Sequence, residues 1–199
     1  MRLTLSLEAL SPQLSGIGRY SWELSRRLGR QAEIDRLQFY RNGDWVADPA
    51  ALLQERYQHG ASRPWMPRKL SRWIDRRLFA ASLFHGPNYF LPPWVESGVI
   101  TIHDLSVFRY PETHPAARIA AFEKNFTSSL ERAALILTDS DTVKGELVAD
   151  FSLDPSRIVT VPLGVDDRYR PYAAGDSAIL ARHGLTAGGR LFVGGRAHP

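Results

Sequence analysis

Apolar and polar positions along the chain repeat with two periods. Residues 2–7 read Arg-Leu-Thr-Leu-Ser-Leu, an alternation of period two that predicts a strand. Tyr20, Leu24 and Leu28 then recur at helical spacing with Trp22 beside them, while Arg26, Arg27 and Arg30 fall among the polar positions. Further strands are expected over 33–40, 81–85, 98–103, 135–138 and 157–162. Helices are expected from Pro49 to residue 57, over 67–78 and over 114–133. Another runs from Asp139-Ser140-Asp141 to Phe151, with Asp139 or Ser140 as N-cap. Strand and helix alternate, so the economical fold is α/β: a Rossmann-like open parallel sheet with helices on both faces. After Asp166 the texture changes, to a Pro- and Tyr-containing linker over 168–175, a short helix over 176–183 and an apolar strand starting at residue 190. The expected organisation is a Rossmann-like domain over 1–166, a linker and short helix over 167–188, and the start of a further domain over 189–199, cut short at Pro199.

In an open parallel sheet, ligands bind in the crevice beyond the carboxyl ends of the strands. The buried-looking run Val99-Ile100-Thr101-Ile102 leads straight into His103-Asp104 at such an end. That pair either does chemistry there, or Asp104 caps the next turn and His103 is a satisfied, half-buried ring. Between the first strand and the first helix stands Ser15-Gly16-Ile17-Gly18-Arg19-Tyr20. Glycines there let a ligand approach the backbone, and a helix N-terminus favours anions; plain turn formation is the alternative. Gly16 and Gly18 match two glycines of a dinucleotide fingerprint, but Ser21 occupies the third position, so a nicotinamide site is a poor fit.

Composition narrows the classes. The 199 residues are 44% hydrophobic and 23% charged, ordinary for a globular protein, and include no cysteine. Disulfides, thiolate zinc and a cysteine nucleophile are thereby excluded, and a reducing compartment fits. Glu8 interrupts the apolar start too early for a signal peptide, and no run of about 18 apolar residues spans a membrane. The net charge of +4 is local: residues 63–77 carry six basic side chains and one acid, leaving the remainder at −1. Such concentration argues against a spread nucleic-acid face. Within it, Arg68, Lys69, Arg72, Trp73, Arg76 and Arg77 lie on a predicted amphipathic helix. That helix either rests on an anionic membrane surface or turns its apolar stripe to the sheet.

Taken in order, six motifs resemble the N-terminal domain of family-4 retaining glycosyltransferases of the two-domain GT-B architecture. They are the Ser15 to Tyr20 stretch, Phe84-His85-Gly86-Pro87-Asn88, Thr101-Ile102-His103-Asp104-Leu105, Tyr110-Pro111-Glu112, Ile136-Leu137-Thr138-Asp139-Ser140 and Val159-Thr160-Val161-Pro162-Leu163-Gly164-Val165-Asp166. Leu191-Phe192-Val193-Gly194 resembles the first strand of the family's second domain. The resemblance implies transfer of a hexose, mannose by motif flavour, from a GDP- or UDP-hexose to a glycan or lipid-linked acceptor in surface-polysaccharide assembly. It implies no tightly bound cofactor, no metal requirement, and a cytoplasmic location, peripheral at the inner membrane face. His103 and Asp104 become the catalytic candidates, and Gly16, Gly18, Arg19, Asn88 and Ser140 the candidates for donor phosphate or acceptor. The family's second domain should supply a basic pair and two glutamates for the donor, and none of these is present. The chain alone is therefore expected to be nearly inactive.

Two rivals remain. Asp139 and Asp141 could hold a divalent cation in a single-domain GT-A transferase, against their use as helix caps. Alternatively, the chain is a non-catalytic acceptor- or partner-binding domain completed by a separate donor-binding chain, with an exposed apolar strip including Tyr169, Tyr172 and Phe192.

Overall fold

A computed structural model describes residues 1–54, 82–113 and 116–186. They form two compact units, one over Met1–Pro162 and a second that starts at Leu163.

The first unit is built on seven strands: β1 (Arg2–Ser6), β2 (Arg36–Arg41), β3 (Asp44–Val46), β4 (Leu83–Gly86), β5 (Gly98–Ile102), β6 (Ala133–Thr138) and β7 (Ile158–Thr160). Their order across the sheet is β3-β2-β1-β4-β5-β6-β7. All neighbours are parallel except β2 and β3. The sheet is thus Rossmann-like as expected, with an antiparallel edge that the strand pattern did not predict. Its cause is Asn42-Gly43: both residues take positive φ (49° and 97°), as a tight hairpin turn requires. Because β1 lies between β2 and β4, the direction of strand addition reverses at β1. The topological switch point therefore falls between β1 and β4.

Alternation in the strands divides the core between two faces. Leu5 and Leu7, together with partly buried Leu37 and Phe39, pack with Trp22, Leu24 and Leu28. The first two of these lie on helix α1 (Gly16–Arg27). Ser15 caps that helix by accepting from the Gly18 N–H, and Arg26 and Arg27 sit at its negative C-terminal end. Phe84, Ile100, Ile102, Ile136 and Ile158 belong to a second cluster with Phe122, Phe126 and Leu147. Those three residues come from α3 (Ala116–Arg132) and α4 (Asp141–Phe151), which follow the single-turn α2 (Ser106–Arg109). Ser140, rather than Asp139, caps α4. Arg132 at the end of α3 donates to the carbonyls of Leu91, Pro92 and Val95, tying the loop before β5 to this helix.

The second unit is described to residue 186 and contains α5 (Ser177–Arg182). Arg170 holds Asp176 through two hydrogen bonds of 2.9 and 2.7 Å just before it.

One glycine determines the shape of the site. A Cβ on Gly86 would stand 2.2 Å from the Phe90 carbonyl oxygen, because the chain folds back over the end of β4. Gly86→Ala should cost on the order of 3 kcal/mol in urea denaturation, at the upper end of overpacking penalties. Gly145, inside α4 with nothing near its missing Cβ, is the opposite case. Gly145→Ala should stabilise by about 0.5–1 kcal/mol.

Candidate active site

Three residues directly follow three adjacent parallel strands: Pro87 after β4, His103 after β5 and Asp139 after β6. His103 bridges the other two. Its Nδ1 is 2.7 Å from Asp139 Oδ2, and its Nε2 is 3.0 Å from the Pro87 carbonyl. A carbonyl and an ionised carboxylate only accept, so the ring satisfies both when both nitrogens carry protons. The ring is little exposed, at 10% for the His103 side chain against 20% for Asp139. Tyr20 of α1 meets it edge-on at 4.9 Å between centroids. His103 therefore presents a ligand with charge and C–H edges, its two nitrogens being held within the chain.

Beneath it lies a second, neutral histidine. His85 Nε2 is 2.9 Å from Thr101 Oγ1, which also shares a 3.3 Å hydrogen bond with the Tyr20 hydroxyl. Burial, aided by the charge of His103, pushes His85 down to about 4. Burial likewise pushes the Tyr20 hydroxyl up; the Thr101 hydrogen bond opposes that shift and the Asp139 charge adds to it. His85, Thr101, Tyr20, His103 and Asp139 thus form one connected group. Strand alternation, which puts His85, Thr101 and His103 on the face carrying α1, explains why they meet.

Asp104 has the turn-capping geometry: its Oδ1 accepts from the Ser106 N–H at 2.9 Å. Burial acts to raise its carboxyl. Hydrogen bonds from Ser106 and Tyr89 and the charge of His103 outweigh that and hold it below the usual range.

The two glycines of the Ser15–Tyr20 stretch differ. A Cβ on Gly18 would meet the Ala9 carbonyl at 2.9 Å, so this glycine lets α1 press against the loop after β1. At Gly16 a Cβ would meet open space. Arg19 is exposed, 3.9 Å from Glu23. In the Asp-Ser-Asp run each residue has its own partner: Asp139 holds His103, Ser140 caps α4, and Asp141 accepts from Thr160 Oγ1 at 2.6 Å. Among the described residues no group of three or more His, Asp or Glu side chains could hold a metal ion.

Asn88 lies at the switch point. Ser6, Glu8, Gly86, Asn88 and Phe90 line a small cleft there, about 270 Å³ including its open mouth. The basic residues Arg68, Lys69, Arg72, Trp73, Arg76 and Arg77 with their predicted helix, and the Leu191 to Gly194 strand, lie outside the described residues. Among the described residues no helix is long and apolar enough to cross a membrane. Tyr169 and Tyr172 of the second unit are exposed, at 75% and 52%.

Residues 14–169 match Glycosyltransferase Family 4. The chain belongs to that family. It is also similar to the O-antigen chain mannosyltransferase B of Escherichia coli, at 31% identity over 221 aligned positions. That alignment takes in 98% of this chain and 56% of the relative, so the chain spans just over half the length of the curated relative it matches. The family-4 match covers every element from α1 to β7, and with them the whole His103 group.

Pattern reading found His103, the glycine loop and Asn88, but not the roles of Asp139, His85, Tyr20 and Thr101. The paired registers of β5 and β6, which bring Ile102 beside Thr138, are what put His103 next to Asp139. A parallel sheet with β5 and β6 adjacent would have suggested that neighbour.

His85 gives a pH prediction. Its folded pKa of about 4 lies below the ordinary 6.5, so between those values the unfolded chain binds the extra proton. The stability contributed by neutral His85 is complete above pH 6.5. It falls by about 1.4 kcal/mol per pH unit as the pH drops toward 4. His85→Gln should flatten that slope in urea midpoints measured across this window, and an unchanged slope would show that His85 does not carry it.

Proposed function

We propose that this chain supplies the acceptor-side half of a retaining glycosyltransferase. It would move a hexose, mannose first among the candidates, from a GDP- or UDP-sugar to a glycan or lipid-linked acceptor of a surface polysaccharide. The observation that carries this reading is the clamped ring of His103 at the carboxyl end of the sheet, on the α1 side. As the sugar leaves its nucleotide, negative charge grows on the diphosphate. With both nitrogens protonated the ring is a cation already held in place at the end of the sheet, and it stabilises that charge without reorganising. No metal ion is needed for this step. Asp139 acts through His103, Gly16 and Gly18 shape the anion-facing turn, and Ser140 and Arg19 contribute at its margin. The relative's name, O-antigen chain mannosyltransferase B, supports the choice of mannose and of a polysaccharide acceptor.

The match to just over half of the relative's length supports a second requirement, that further residues complete the donor site. Assayed with GDP-mannose and membrane-derived acceptor, the chain alone should give only trace transfer. Joined to the portion of the E. coli relative that it does not match, it should transfer sugar. In that joined form His103→Gln should lower turnover about 10²-fold, the scale of one lost electrostatic contact in a transition state, while shifting Tm little. No transfer from any GDP- or UDP-hexose would overturn the reading, and equal losses of turnover and stability would leave His103 a structural residue.

The basic segment, with Trp65 and Trp73, supports attachment to an anionic inner membrane face. Reversing the charge of Arg68, Arg72 and Arg76 together should abolish co-sedimentation with phosphatidylglycerol vesicles at 0.1 M salt. If the triple variant still pellets, that attachment is wrong.

A further inference from the structure

A bulky residue holds a left-handed φ only where its surroundings impose it, and such strain collects at working sites. Tyr89 stands at φ 62°, in a three-residue turn that the Phe90 N–H closes onto the Asn88 carbonyl at 2.7 Å. The side chain of Asn88 does not hold this turn, since its buried Oδ1 has no hydrogen-bond partner. Tyr89 holds it. The residue is 6% exposed, and its ring meets Phe122 and Phe126 of α3 at 5.0 and 6.3 Å between centroids.

Two polar contacts run from Tyr89 to the end of β5. Its N–H donates to the Thr101 carbonyl at 3.0 Å, and its hydroxyl donates to the Asp104 carboxylate. Thr101 and Asp104 lie on either side of His103 in the chain, so one tyrosine grips this strand end before and after the histidine. Two residues ahead of Tyr89 is Pro87, whose carbonyl faces His103 Nε2 at 3.0 Å. Between Gly86, where the chain folds back, and Tyr89 stand only this proline, which has no N–H to anchor it, and Asn88. The place of the Pro87 carbonyl therefore depends on what fixes Tyr89.

We propose that Tyr89 is a positioning residue for His103: by gripping Thr101 and Asp104 and holding the strained turn, it sets the Pro87 carbonyl against the imidazole ring. The inference rests on the glycosyl-transfer reading for its part in a reaction, while its claim about the ring stands apart from that reading. A misplacement of about 1 Å near a reacting centre can cost on the order of 10²-fold in rate, which gives the strain a use.

The test reads the ring directly. An N–H that is bonded and little exposed exchanges slowly with water. In the 199-residue chain, isotope-labelled at histidine, His103→Gln identifies the His103 ring N–H signal by its loss. Tyr89→Phe keeps the ring packing and removes the hydroxyl. It should speed exchange of the His103 proton about tenfold, the scale of one lost hydrogen bond to a charged group. The ring of His85, bonded to the Thr101 hydroxyl, should be unaffected. Asp104→Asn keeps a turn cap and alters the partner of the Tyr89 hydroxyl, so it should act alike and serves if Tyr89→Phe fails to fold. The two changes together should do no more than either alone. In the form joined to the unmatched portion of the E. coli relative, Tyr89→Phe should lower turnover about tenfold with the donor KM unchanged. Unchanged exchange at His103, equal acceleration at His85, or turnover that ignores Tyr89→Phe would each overturn the assignment. A joined protein that never transfers would remove the transfer reading and leave Tyr89 as the residue that fixes the ring.

Discussion

The bridge from His103 to Pro87 and Asp139 joins the places where three neighbouring strands end. In a parallel ladder the strands lie about 4.8 Å apart, and their regular backbone pairing stops at the carboxyl edge. One imidazole ring spanning the ends of β4, β5 and β6 replaces that pairing with two contacts, at 2.7 and 3.0 Å. It fixes the ring, the Pro87 peptide and the entry to α4 together. Each His103 nitrogen already faces an acceptor within the chain. Whatever it contributes to a reaction comes through charge and position.

That ring has consequences below it. Two histidines, one above the other on the α1 face, cannot both be charged cheaply, and burial decides between them. His85, 7% exposed and bonded to Thr101, stays neutral. His103 has a carboxylate beside it instead, 2.7 Å from its Nδ1. Tyr20 links the two through the Thr101 hydroxyl below and its ring edge above. The helix that carries the glycine turn is thereby held to the histidine by the same side chain.

The sequence pattern made much of this visible, and what it missed has a physical reason. Strands, their parallel sense and the helices on two faces follow from periodicity, which is set by burial within each element. The antiparallel β3 went unpredicted, although Asn42-Gly43 is a strong local hairpin signal; a three-residue strand is too short to show a period. His103 was singled out because it follows a strand end, and Asn88 through the family motif that contains it. Asp139 was legible as a helix cap or metal ligand, but its actual partner is 36 residues away and depends on strand order. Ser140 took the capping role instead. Gly18 was legible as a close-approach glycine, though the atom it approaches is the Ala9 carbonyl within the chain.

The two sides of the site differ in character within two residues of chain. Pro87 accepts from a cation, and Asn88 beside it brings an acceptor with nothing to accept. The transfer proposed above would use such a division, since a departing diphosphate gains negative charge while an incoming hydroxyl is oriented by acceptors. A site that was basic throughout would hold the diphosphate and leave the hydroxyl unguided; an acidic one would repel the donor. Pro87 is the shared member, since its carbonyl holds His103 and its peptide leads into the turn that sets Asn88. The fold-back over Gly86 holds that turn in place, so a glycine with no chemistry of its own governs the spacing between the two sides.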